Sequence, residues 1–173
     1  MSAGRVVIIG AGQGGLQAAM SLRQEGHSGS ITLIGGEPGL PYQRPPLSKA
    51  FLKTGEADKL ALRPESFFAT KDMTLRTGEW VDAIDREAGV VRVGAEALPF
   101  DHLILATGTR NLRPAIPGID RALDLRTLDD AAALRAALDR PRKVAVIGGG
   151  VAGMAAALEA AKADVEVVLV ERQ

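Results

Sequence analysis

Two glycine runs of one type carry the chemistry that can be read in this chain. Residues 6–15, Val-Val-Ile-Ile-Gly-Ala-Gly-Gln-Gly-Gly, put Gly10, Gly12 and Gly15 in G-x-G-x-x-G spacing. Residues 144–153, Val-Ala-Val-Ile-Gly-Gly-Gly-Val-Ala-Gly, repeat it with Gly148, Gly150 and Gly153. In such a run the first glycine turns the chain sharply after a buried strand. The second lets the backbone approach a pyrophosphate, and the third lets helix and strand pack closely. The N-terminus of the following helix presents unpaired N–H groups to the phosphates. Two dinucleotides are implied.

A single G-x-G-x-x-G also marks ordinary turns, so the flanking elements decide. Each run follows an apolar strand pattern (Arg5 to Ile9, Lys143 to Ile147). Each precedes an alanine-rich helical stretch (Gln13 to Gln24, Val151 to Ala163) and a second apolar run (Ile31 to Ile34, Val165 to Val170). That is β-α-β twice. Between the copies, Gly35 to Pro46 is a Gly/Pro-rich loop, and Leu47 to Leu52 and Pro64 to Thr70 read as short helices. Met73 to Arg76, Trp80 to Asp85, Val90 to Val93 and Leu98 to Phe100 read as the strands of an antiparallel meander inserted in the first domain. His102 to Ala106 is a further apolar strand, closed by Thr107 and Gly108. Asn111 to Gly118 reads as a linker, and Asp129 to Leu138 as an amphipathic helix whose leading aspartates suit its dipole. The expected organisation is a first domain over 1–110, a linker over 111–118 and an incomplete second domain over 119–173, together a two-dinucleotide-binding, Rossmann-like α/β fold.

Composition agrees: 46% of the 173 residues are hydrophobic, with 20 glycines and 9 prolines. The 21 basic and 21 acidic residues are interspersed, so no basic surface for nucleic acid or an anionic membrane is expected. The apolar runs are strand-sized and the first begins within a few residues of Met1, which predicts neither a signal peptide nor a membrane span, and a cytoplasmic protein. With no cysteine there is no disulfide, thiolate metal site or redox dithiol. His27 and His102 read as surface or packing residues, so no metal site is expected.

The order GAGQGG, ITLIG, PYQRPPLSK, LRPESF, LILATG, LRTLDDA, VAVIGGG resembles the FAD-dependent NADH:ferredoxin reductases of the putidaredoxin reductase type, relatives of the pyridine nucleotide-disulfide oxidoreductases. The resemblance runs from about residue 5 to the C-terminus, and RPPLSK and LILATG are its most specific parts. It implies an oxidoreductase with FAD on the first fold and NADH on the second, delivering electrons to a [2Fe-2S] ferredoxin of an oxygenase or P450 system. Dithiol members of the superfamily carry Cys-x4-Cys; its absence here fits the ferredoxin reductase branch.

The resemblance also implies site residues. Gly10, Gly12, Gln13, Gly14 and Gly15 would cradle the FAD pyrophosphate. Arg44, Pro45 and Lys49 fall in RPPLSK, where the Lys49 cation would stabilise charge on the reduced flavin, the one catalytic role assigned. The backbone at Val81 would meet adenine, Ala106, Thr107 and Gly108 would pass the flavin diphosphate, and Arg126 would lie near FAD. Gly148, Gly150 and Gly153 would take NADH. Glu171, directly after the last strand, is placed for a carboxylate that accepts both ribose hydroxyls and repels a 2′-phosphate.

The chain departs from the family pattern at four positions. Gly35-Gly36 stands where relatives have Gly-Asp, so the nearest acid for the FAD ribose is Glu37, one residue late. Val151 replaces a bulkier residue and Ala155 a glutamate near the nicotinamide. The stop at Gln173 predicts a truncated protein with open sheet edges that could self-associate. Three readings stay open: the ferredoxin reductase; a related NADH-dependent flavin reductase of the nitrite reductase or apoptosis-inducing-factor kind; and a catalytically inactive nucleotide-binding fragment.

Overall fold

The computed structural model describes residues 4–139, 143–162 and 165–171, which divide into two compact units. The first unit is drawn from Met1–Tyr42 and Ala61–Thr109, the second from Gln43–Leu60 and Arg110–Gln173.

In the first unit β1 (Val6–Ile9) is buried along its whole length, as a strand covered on both faces must be. Helix α1 (Gln13–Gln24) follows, and β2 (Ile31–Gly35) returns parallel to β1, with Val6 opposite Ile31 and Ile9 opposite Ile34.

In the second unit, Pro45–Ser48 forms a 3-10 turn preset by its prolines. Helix α2 (Ala50–Thr54) ends at Gly55, whose φ of 72° only glycine adopts freely. The sequence pattern predicts one helix over Leu47 to Leu52; the chain instead breaks at Lys49, whose φ of −130° and ψ of −98° are non-helical.

Back in the first unit, helix α3 (Glu65–Thr70) leads into β3 (Met73–Thr77), which pairs parallel with β2. The sequence pattern places this run in the antiparallel meander; the structure makes it instead a parallel edge strand of the main sheet. Met73 is buried with Phe68 of α3 among the residues under the helices, so the apolar alternation serves a parallel edge strand. The meander has three strands, β4 (Ala83–Asp85), β5 (Val90–Val93) and β6 (Glu96–Pro99). Residues 80–82 precede it as irregular chain, with Asp82 N–H on Arg92 O at 2.9 Å and the Asp82 carboxylate accepting Gly94 N–H at 2.7 Å. β7 (His102–Leu105) pairs parallel with β1, giving the order β3-β2-β1-β7.

Alternation along β1 divides the core. Val6 and Ile8 pack with Leu16, Ala19, Ile31, Leu33, Phe68 and Met73 on the helical face. Val7 and Ile9 pack with Ile34 and Val91 under the meander. One central strand thus carries both halves of a three-layer core, and its carboxyl end delivers Gly10.

The second unit repeats the motif. Helix α4 (Leu128–Leu138) precedes β8 (Val144–Ile147), α5 (Val151–Lys162) and β9 (Val167–Val170), with β8 and β9 parallel. The expected helix end at Ala163 lies outside the described residues. Ile147, Val168, Leu169 and Val170 are exposed, as are Val151, Met154 and Leu158 of α5.

Candidate dinucleotide sites

The first glycine loop is shaped by atoms of its own unit. Gly10 has φ 110°, its N–H donates to Ile34 O at 2.7 Å, and a Cβ placed on it would stand 2.0 Å from the carbonyl oxygen of Ala106. A Cβ on Gly15 would stand 1.9 Å from the carbonyl oxygen of Gly10. No larger side chain fits at either position. Gly12 and Gly14 differ: a Cβ on either would meet nothing within 4 Å. The protein itself places no steric demand for glycine there, and the open space lies in front of the first turn of α1. That helix begins at Gly12 with no side-chain cap and no acidic residue in its first turn. Its leading N–H groups therefore keep their donor capacity and a favourable field for an anion. Gln13 is exposed at this end. Room, donors and the absence of a competing carboxylate fit the pyrophosphate of a dinucleotide.

The 106–108 turn meets this loop. Ala106 N–H donates to Ile9 O at 2.7 Å, and its carbonyl is the atom that Gly10 accommodates. Thr107 and Gly108 follow exposed, Gly108 with φ 70°. Gly10, Gly12, Gln13, Gly14, Gly15, Ala106, Thr107 and Gly108 thus form one cluster at the carboxyl ends of β1 and β7.

At the end of β2, a Cβ on Gly35 would lie 2.7 Å from Ala11 Cβ, so the two turns touch. A Cβ on Gly36 would lie 2.6 to 2.9 Å from Cε2, Cζ2 and Cδ2 of Trp80. Glu37 accepts a hydrogen bond from the Tyr42 hydroxyl, so its carboxylate is engaged. Val81 packs against the core cluster of Val7, Ile9, Ile34 and Val91 beneath the meander. Spacing alone did not single out Trp80 or Tyr42. A lone tryptophan after a Gly-Glu pair gives no periodic signal.

The second loop repeats the turn and the helix contact of the first, although a Cβ on Gly148 would meet nothing within 4 Å. Gly148 has φ 108°, its N–H donates to Val170 O at 2.8 Å, and a Cβ on Gly153 would stand 2.0 Å from Gly148 O, while Gly150 is open. Glu171 accepts a hydrogen bond from Gly149 N–H, which sets its carboxylate against the loop. Gly148, Gly150, Gly153 and Glu171 are therefore one cluster.

In the second unit Arg44 Nη1 donates to Arg126 O at 2.7 Å, bringing together two residues assigned to the flavin. Arg126 N–H in turn donates to Asp130 at 3.0 Å, within a capping box in which Thr127 Oγ1 accepts from Asp130 N–H at 3.1 Å and Asp130 accepts from Thr127 N–H at 2.8 Å. Burial opposes the charge of Asp130, yet the amides of Thr127 and Arg126 hold its carboxyl below the usual range. Asp130 therefore does more than suit the helix dipole: with Thr127 it closes the cap, a role carried in sequence by the T-x-x-D spacing. Lys49 is exposed and its N–H donates to Pro46 O at 3.0 Å; Pro45 opens the same turn.

Ion pairs centred on Arg5 and Arg76 brace the first unit. Arg5 holds Asp101 through its N–H at 2.6 Å, Nε at 3.0 Å and Nη2 at 2.9 Å, clamping the start of β1 to that of β7 and holding the Asp101 carboxyl far below its ordinary range. Arg76 bonds Glu96 and Glu79 at 2.7 and 2.6 Å, and both carboxylates push its guanidinium up. Among the described residues no group of His, Cys, Asp and Glu could hold a metal, and no helix is long and apolar enough to cross a membrane.

Two parallel βαβ turns, each with a glycine fitted to the chain and a glycine open to a ligand, define a protein of the two-dinucleotide-binding class. The chain belongs to the pyridine nucleotide-disulphide oxidoreductase family, whose model matches residues 4–173. It is 46% identical to rhodocoxin reductase of Rhodococcus erythropolis over 170 residues, 96% of this chain and 40% of that protein. A ferredoxin reductase from Rhodopseudomonas palustris superposes with a TM-score of 0.88 at 41% identity, covering 95% of this chain and 42% of that one. Putidaredoxin reductase, in a covalent complex with putidaredoxin, superposes with a TM-score of 0.86 at 38% identity, covering 98% and 42%. The chain therefore spans about two-fifths of the length of these relatives.

Proposed function

We propose that this chain is part of a flavoprotein that takes electrons from NADH through FAD and passes them to a [2Fe-2S] ferredoxin of an oxygenase or P450 system. The observation that carries the reading is the pair of matched glycine loops, each open where a pyrophosphate would approach. The similarity to ferredoxin reductases supports the partner. In this reading 1–110 is the FAD-binding domain, 111–118 the linker and 119–173 part of the NADH-binding domain, in a cytoplasmic protein.

FAD, when bound, supplies hydride acceptance from NADH and single-electron donation to the ferredoxin. Gly12, Gln13 and Gly14 would hold its pyrophosphate through helix-end amides, with Gly10 and Gly15 fixing the loop. Ala106, Thr107 and Gly108 give the diphosphate a narrow path, and Val81 offers backbone to the adenine side. Arg44, Pro45, Lys49 and Arg126 carry the remaining roles that the resemblance implies for FAD. Lys49 is the cation that would stabilise negative charge on the reduced ring. Glu37, bonded to Tyr42, is the acid nearest the FAD ribose. Gly148, Gly150 and Gly153 would hold NADH, with Glu171 accepting from its ribose.

Reconstitution with FAD tests the reading. Uptake with a flavin absorbance band, weak in the 173-residue chain and abolished by Gly12→Val, is expected; uptake unaffected by that change would overturn it. In the full-length protein, a [2Fe-2S] ferredoxin should stimulate NADH-dependent cytochrome c reduction. Flavin reduction without that stimulation would favour the related flavin reductase.

A further inference from the structure

Open α/β sheets bind ligands at the carboxyl ends of their strands, and a dinucleotide lying over the first loop directs its adenosine toward the end of the second strand, where an acid customarily reads the ribose. Here that strand ends at Gly35, and its next residue, Gly36, has no side chain. The nearest carboxylate, that of Glu37, stands one residue later and accepts from the Tyr42 hydroxyl through one oxygen. What stands at Gly36 is the indole of Trp80. Three contiguous ring atoms lie 2.6 to 2.9 Å from the point a Gly36 Cβ would occupy, which puts that point over the face of the ring. The ring is nevertheless 75% exposed, so its other face is open.

An exposed indole in a loose loop would mean little, but the backbone that leads into this one is fixed. Gly78 N–H donates to Glu37 O at 3.0 Å and Glu79 N–H to Gly35 O at 3.1 Å, lacing residues 78–79 to the turn after β2. Glu79 is also bound by Arg76 Nε at 2.9 Å. The turn touches the glycine loop through Gly35 and Ala11. We propose that Trp80 is a specificity-determining residue for the dinucleotide of the first loop: its open face stacks on adenine and takes over recognition that the missing acid would have supplied. Glycine at 36 is then the companion change, since any side chain there would displace the ring. A planar base on an indole gains stacking energy without any hydrogen bond that reads the ribose.

The proposal rests on the dinucleotide reading above, and the test separates the two. Trp80 is the single tryptophan of the chain, so its emission reports this locus. ADP, which carries adenosine without flavin, should quench that emission saturably in the full 173-residue chain. FMN, which lacks adenosine, should not. Trp80→Ala should weaken FAD binding, followed by flavin emission, about tenfold. Trp80→Phe should keep most of the affinity, and Gly36→Asp should reduce the ADP quench by pushing the ring aside. Because Trp80 is exposed, circular dichroism of the alanine variant should match that of the parent. Calorimetric binding of ADP with unchanged Trp80 emission, or wild-type FAD affinity in Trp80→Ala, would overturn the proposal alone. Absence of any ADP or FAD binding by the parent chain would overturn both.

Discussion

Arg44 donates to the carbonyl oxygen of Arg126 across 82 residues of sequence. The bond ties the turn before α2 to the residue ahead of α4, and the N–H of Arg126 is held in turn by Asp130. Both ends of one peptide segment are thereby fixed by charged partners. Hydrogen bonds to charged groups are the stronger kind, so Arg44→Met should cost about 1.5 kcal/mol and Thr127→Ala about 1 kcal/mol. Because the two act on one network, the double variant should lose less than the sum. Urea unfolding of the four proteins measures this.

The glycines should separate by role. Gly15→Ala and Gly153→Ala drive a methyl to within about 2 Å of a backbone carbonyl and must shift a helix off its strand. Both should lower the melting temperature sharply. Gly12→Ala sits at a helix N-cap with nothing near its Cβ, so it meets no clash and should cost only the poorer capping of alanine, about 0.5 to 1 kcal/mol. Its main cost should fall on FAD affinity. Calorimetric melting together with FAD titration of each variant distinguishes the two kinds.

Acid should loosen the β1–β7 seam. The Asp101 carboxyl is held low by Arg5, so folding stabilises its ionised form. That contribution is fully present above the unfolded carboxyl value, near pH 4, and is lost as pH falls through and below it. Asp101→Asn should be less stable than the parent at pH 7, and the gap should close progressively below about pH 4. Thermal melts from pH 7 to pH 3 show whether it does.

Coenzyme choice should follow Glu171. Its carboxylate is anchored to Gly149 N–H, where a 2′-phosphate would meet negative charge. Binding titrations should rank NADH above NADPH in the parent chain, and Glu171→Ala should narrow that preference. An unchanged ratio would remove Glu171 from the coenzyme site.

The two βαβ units were legible because each combines a continuous apolar strand, glycines at fixed spacing and an alanine-rich helix, signals that all lie within some 30 residues of one another. α1 runs over the residues expected, and β1, β2, β7 and β8 differ by one residue at an end. The role of Met73–Thr77 was not legible. An alternating apolar pair suits an antiparallel hairpin and a parallel edge strand equally, and only Phe68, arriving from α3, decides which face is buried. Pairings across long separations were equally silent: Arg5 with Asp101, Arg44 with Arg126, and Trp80 over Gly36 join residues whose types are individually commonplace. Gly10 was legible as a sharp turn, but its second reason for being glycine, the carbonyl of Ala106 beside it, was not.

That close approach has a thermodynamic side. With Gly10 held between Ile34 and Ala106, and Gly15 against Gly10 itself, the first loop owes its shape to covalent geometry and neighbouring backbone alone. A ligand arriving there finds its cradle already ordered and surrenders little of its binding free energy to freezing the chain. The loop amides hydrogen-bonded at Gly10 and Ala106 should accordingly resist hydrogen exchange before any nucleotide is added, and gain little further protection afterwards.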